Sequence, residues 1–310
     1  MRISASTNKP LYGIGCLIVG FMALASAPAV AHTPHACPAD LPDAPVLAGH
    51  IEHADILAGK LSFDAVAAHG AALFLAQFNR CDGQGRPRTA STGEARDTGA
   101  PEFTRTSGPD ANSCAGCHHQ PFAGGAGEFV ANVFVNARGA VSAAEMAQFG
   151  QINERNTPGM HGAGLIEMLA REMTDELEAI REDAKARAEA GENGGRVTLR
   201  LVAKGVEFGT FTARGRLLVE IDGIRGVSPD LIVKPFAQSG TVPSLRVFSV
   251  GALNQHHGMQ AEELFDLNKR KGVDHDGDGV ARELTIGDIT ALVAFQASLG
   301  VPGRVLPAES

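Results

Sequence analysis

Cys114-Ala115-Gly116-Cys117-His118 decides how this chain is read. Two thiols three positions apart can both reach the vinyl groups of one porphyrin. A histidine directly after the second thiol then sits under the iron with a ring nitrogen to bind it. A dithiol alone also fits a redox pair or half of a zinc site. The adjacent His118 and an export signal upstream favour a single covalent haem c. Cys114 and Cys117 are its anchors and His118 its proximal ligand.

That reading sets the fold. With 37 glycines and 5% aromatic residues, an ordinary core is short of large apolar side chains. A covalently held porphyrin supplies buried apolar surface. The expected class is mainly α: cytochrome c-like helices around a covalent haem, with long loops and a small antiparallel β element. Apolar spacing predicts a helix over 62–79, with Phe63, Val66, Leu73, Phe74 and Phe78 on one face. Asp82-Gly83-Gln84-Gly85 ends it, residues 83–113 read as loop, and Gly124-Gly125-Ala126-Gly127 reads as a turn. Residues 166–190 predict a long helix whose Glu167–Arg171 and Asp183–Arg187 pairs stand four apart on a solvated face. Alternation over 196–221 predicts a hairpin or meander, 245–265 a turn with a helix start, and 286–299 a helix opened after Thr285.

Residues 1–31 have the form of a secretory signal. Arg2 and Lys9 precede an apolar stretch from Leu11 to Ala27, and Ala29-Val30-Ala31 fits a cleavage site. The stretch is short and interrupted by glycine, which favours removal over anchoring. Cys16 precedes most of that stretch, which argues against lipidation. The expected product is soluble, periplasmic or otherwise exported, with no membrane span after signal removal. Residues 32–300 form the haem domain, which carries the β element and an acidic loop, and 301–310 form a linker or tail.

The 310-residue chain has a formal charge of −8, and the signal removes two basic residues and no acidic one. No basic patch suits nucleic acid. The acidic surface serves solubility, or a basic electron-transfer partner. Cys37 and Cys81 are the cysteines outside signal and motif; an oxidising compartment permits a bridge between them, and two separate thiols is the alternative. The only tyrosine, Tyr12, lies in the signal, and tryptophan is absent. A Trp or Tyr relay is therefore excluded after export.

Asp274-His275-Asp276-Gly277-Asp278-Gly279 has the spacing of a calcium loop. Asp274, Asp276 and Asp278 supply carboxylates, and Val280 its carbonyl. Thr285 stands where the last acidic ligand belongs, so Glu283 or Asp288 is the substitute, with Glu283 preferred. An acidic surface turn without an ion is the bland alternative. For the sixth iron position the candidates are Met160, His161, His256, His257 and Met259, with Met259 or His256 favoured. Glu128 is a candidate acid or base.

In their order these segments resemble the di-haem c-type oxidoreductases of the bacterial cytochrome c peroxidase and thiol oxidoreductase kind. The resemblance is carried by Gly70 to Phe74, Asp82 to Gly85, the haem motif, Gly124-Gly125, Arg155-Asn156-Thr157-Pro158, and Pro243-Ser244-Leu245-Arg246 followed by His256 and Gly258. It covers most of residues 60–305. It implies peroxidase-like electron transfer, peroxide as substrate, and a small redox protein or second haem domain as electron partner. Such proteins carry two haem motifs; this chain carries one, which leaves a non-catalytic mono-haem carrier, or the haem subunit of a larger redox complex, as the competing expectation.

Overall fold

The computed structural model describes residues 44–84, 111–127, 130–134, 152–215, 218–237, 240–265, 280–301 and 303. Among them helix outweighs strand, so the chain is mainly α. The helices are α1 (His53–Leu57), α2 (Phe63–Leu75), α3 (Cys114–Cys117), α4 (Ala163–Glu189), α5 (Leu245–His257), α6 (Glu262–Phe265) and α7 (Ile286–Ser298). Strands β1 (Val130–Phe134) and β2 (Ile152–Asn156) form an antiparallel pair. Strands β3 (Arg196–Ala203), β4 (Val206–Arg214) and β5 (Leu218–Asp222) form an antiparallel meander, as the alternation predicts.

The helices start where side chains can satisfy free backbone N–H groups. Ser62 Oγ accepts from Ala65 N at 3.2 Å, and Ser244 Oγ from Val247 N at 3.2 Å. At α7, Thr285 Oγ1 accepts from Asp288 N while Asp288 Oδ2 accepts from Thr285 N, both at 3.0 Å. This reciprocal capping box is why the helix opens after Thr285.

Two apolar cores result. In the first, α2 crosses α7, and Val66, Leu73 and Phe74 pack with Leu253, Ile289 and Leu292. The crossing is close because Gly70 has no side chain: a Cβ there would lie 1.9 Å from the Ala291 carbonyl oxygen. In the second, Leu177, Ala184 and Ala188 of α4 cover Val197, Leu201, Phe211 and Ala213 of the meander. Lys204-Gly205 turns β3 into β4 with φ of 49° and 78°, the left-handed pair a two-residue hairpin needs.

Three expectations shift. The 62–79 helix stops at Leu75: Ala76 turns to ψ 128°, and Phe78 leaves the helix to donate its N–H to Asn112 O at 2.8 Å. Its ring remains buried, whereas Phe63 is exposed. Residues 245–265 do combine helix and turn, but the helix comes first and runs for thirteen residues, Leu245–His257, because Ser244 caps it and Gly258 ends it in the left-handed region before α6 starts at Glu262. Helix α4 is less solvated than its charges suggest. Glu167 is buried, and its Oε2 accepts from Leu245 N at 2.7 Å, at the start of α5. The two surface pairs form as spaced, Arg171–Glu167 at 2.6 Å and Arg187–Asp183 at 3.2 Å.

Cys81 is disulfide-bonded, while Cys114 and Cys117 are free thiols. Its partner therefore lies outside the described residues, as Cys37 does. No described helix is long and apolar enough to cross a membrane. Residues 1–31, where a signal is expected, and most of the predicted loop over 83–113 also lie outside them.

Candidate functional site

The short helix α3 carries both thiols of the motif into the wall of a cavity of about 840 Å³. That volume falls within the roughly 300–1,000 Å³ of sites for cofactors and drug-sized ligands. Phe74, Ile166, Leu245, Phe248 and Leu292 make much of the wall apolar. Its described lining includes cysteine and histidine but no Asp, Glu, Lys or Arg.

His118 is oriented from behind. Its Nδ1 donates to the Pro158 carbonyl at 3.0 Å, so its Nε2 carries the lone pair. Pro158 is held there by the preceding turn: Gly127 N donates to Thr157 O at 2.9 Å, and Met160 N to Gly124 O at 2.7 Å. The turn needs its glycines. A Cβ on Gly125 would lie 1.8 Å from Gln120 O, and Gly124 has φ of 86°. The Phe74 ring lies 6.4 Å from the His118 ring. Burial pushes the His118 pKa down against the hydrogen bond to Pro158, which favours the neutral imidazole that can bind a metal.

Helix α5 brings its C-terminal turn to the motif. His257 Nδ1 donates to Ala111 O at 2.8 Å, which leaves Nε2 to accept from the Cys114 thiol, 3.4 Å away. Ala111 N donates to His256 O at 3.3 Å. Burial pushes the Cys114 thiol up to about 12, so it is held as a neutral S–H and not as a reactive thiolate.

The candidates for the sixth iron position separate. Met160, His161, His256 and His257 all line the cavity. Met259 is fully buried in the first apolar core and is not on the cavity wall. The Nε2 atom of His161 is buried with no hydrogen-bond partner among the described residues, and its ring meets Phe122 edge-on at 5.1 Å.

The acidic loop is only partly described. Asp274, Asp276 and Asp278 lie outside the described residues, as does Glu128. Val280 and Glu283 are buried, and both Glu283 carboxylate oxygens accept from Gln260, its backbone N–H and its side-chain amide, at 2.5 Å. Asp288 is committed elsewhere: it accepts from Ile51 N at 3.0 Å and contacts His50 and His69 at 2.6 and 2.8 Å. Among the described residues, no three His, Cys, Asp or Glu side chains are grouped to hold a metal ion.

Sequence reading missed Pro158 as the orienting acceptor, and the polar pair Ser249 and Gln296 in the cavity wall. Gln296 had one signal available: it is the only polar side chain in the stretch from Ala291 to Ala297.

No protein-family model, curated protein or solved structure matches this chain.

Proposed function

We propose that this chain is an exported, periplasmic c-type haem protein that transfers electrons as a peroxidase-like oxidoreductase, or as part of one. The observation that carries the reading is one of placement. Both motif thiols and the His118 Nε2 lone pair meet at one cavity of cofactor size. Cys114 and Cys117 would hold the porphyrin and His118 its iron, while Pro158 fixes the imidazole and Phe74 and Leu292 exclude water. Haem c, when bound, supplies one-electron chemistry. With no carboxylate on the described wall, proton transfer falls to His161, His256 or His257. The mainly α fold is then a cytochrome c-like frame, and its electron partner a small redox protein or a second haem domain. The calcium reading rests on Asp274, Asp276, Asp278 and the Val280 carbonyl, with Glu283 engaged by Gln260.

The test is mass spectrometry and a pyridine haemochrome spectrum of protein made in a host with c-type maturation. The reading requires one haem of added mass, lost in the Cys114→Ser/Cys117→Ser double variant. An unmodified polypeptide from that host refutes it.

A second reading, a non-catalytic mono-haem carrier, is favoured by one observation. Met160, His161 and His256 line the wall and would offer a bound iron a choice of side chains for its sixth position. A low-spin ferric spectrum that is indifferent to peroxide selects it.

A further inference from the structure

Ser249 on α5 and Gln296 on α7 face each other in the cavity wall, and both are almost wholly buried. Gln296 Nε2 donates to Ser249 Oγ at 3.0 Å, and Ser249 Oγ donates to Gln296 Oε1 at 3.2 Å. The two amide atoms lie in nearly the same direction from the hydroxyl, so these contacts are alternatives, and Ser249 holds one end of the amide at a time. Among the described residues these are the only hydrogen-bond contacts of the Gln296 side chain. A primary amide has two N–H donors and two carbonyl lone pairs. At least one donor and one acceptor of Gln296 are therefore left over, on a side chain that is 2% exposed. Leaving such groups unmet is costly, and a wall built for packing alone would carry a leucine here.

We infer that Gln296, held by Ser249, is a specificity-determining residue of the cavity and binds a small neutral hydroxylic molecule, water or hydrogen peroxide. The leftover groups ask for a ligand that both accepts and donates, which a hydroxyl does. An anion offers no donor to the carbonyl, and the described wall has no Lys or Arg to offset its burial. The inference rests on the haem reading, because peroxide reduction is what such selection would serve, and because the haem spectrum reports binding.

The experiment titrates mature haem-loaded protein with hydrogen peroxide and, separately, with azide, and follows the visible spectrum. Gln296→Leu keeps the volume and removes both polar groups. Its peroxide affinity should fall about fivefold, the range for one or two hydrogen bonds, while azide affinity stays level or rises. Ser249→Ala frees the amide and should give a smaller loss of the same sign, which serves as the second variant if Gln296→Leu does not accumulate. Equal weakening toward both ligands, unchanged peroxide affinity in both variants, or wild-type haem protein that does not respond to peroxide, each overturns the inference. Failure of the haem reading is seen separately, as absence of covalent haem from the wild type.

Discussion

The Nδ1 atom of His50 lies 2.6 Å from Oδ2 of Asp288, a carboxylate with no exposed surface. The same carboxylate meets His69 Nε2, accepts from Ile51 N, and caps α7. It therefore ties the segment before α1 and the middle of α2 to the start of α7. Burial pushes the Asp288 pKa up, but the hydrogen bonds from His50 and His69 outweigh it and hold the carboxyl far below the usual range. The Asp288 hydrogen bond raises His50, against burial and the nearby Arg282, and Glu262 adds to the rise.

The signs give a window. A lowered carboxyl contributes stability above its unfolded pKa of about 3.9, lost as pH falls through the folded value. A raised histidine contributes fully below its unfolded pKa of about 6.5, and the contribution is lost as pH rises through the folded value. The clasp is thus strongest between about pH 4 and 6.5. Asp288→Ala should cost at least about 2 kcal/mol there, from a lost cap and buried partners left unmet. Thermal melts of both proteins across pH check it. A gap between the two melting temperatures that stays constant from pH 4 to 9 would show that ionisation plays no part.

Gly70 and Gly251 both lie inside helices, and alanine should act on them in opposite directions. At Gly70 a Cβ has no room against the Ala291 carbonyl, so Gly70→Ala should separate α2 from α7 and destabilise by about 3 kcal/mol or more. At Gly251 nothing lies within 4 Å of the added carbon, so Gly251→Ala should stabilise by up to about 1 kcal/mol. Urea unfolding of the two variants reads both effects.

Glu167 makes one buried and one surface interaction, which mutation separates. Glu167→Ala leaves the Leu245 N–H without its acceptor and should cost about 1–3 kcal/mol. Arg171→Ala removes only the exposed partner and should cost under about 0.5 kcal/mol. Similar losses in the two variants would mean that the surface pair, not the capped helix start, matters.

Met259 and His256 should differ in kind. Met259→Ala opens a hole in the first core and should cost about 2–5 kcal/mol while leaving the visible spectrum of haem-loaded protein as it was. His256→Ala removes a cavity-wall imidazole, and a changed ferric spin state is the expected result if it is the sixth ligand. The ferric absorption spectrum, read beside a melt, separates the two.

The sequence carried much of this where the signal was local. Caps at Ser62 and Thr285, the meander, the long helix and its spaced ion pairs need only neighbours to be read. What failed was set by distant partners. Phe78 leaves its helix for the carbonyl of Asn112, and Glu167 turns inward to Leu245, neither of which spacing reveals. At the site, the thiols and His118 were legible as a motif, and four of the five His and Met candidates near them do reach the cavity. Met259 was not separable from His256, because three positions decide between wall and core only once the helix end at Gly258 is known. Pro158 and Gln296 act through hydrogen bonds across long stretches of chain, which composition does not show.

The cavity is assembled from stretches spread between Phe74 and Gln296. Leu292 and Gln296 leave the ribosome long after the thiols of α3, so the compartment is still open on one side for most of the chain's synthesis. Cys114 and Cys117 therefore meet solvent and cellular chemistry before they meet their final surroundings, and a ribosome stalled before Leu292 would display them unshielded.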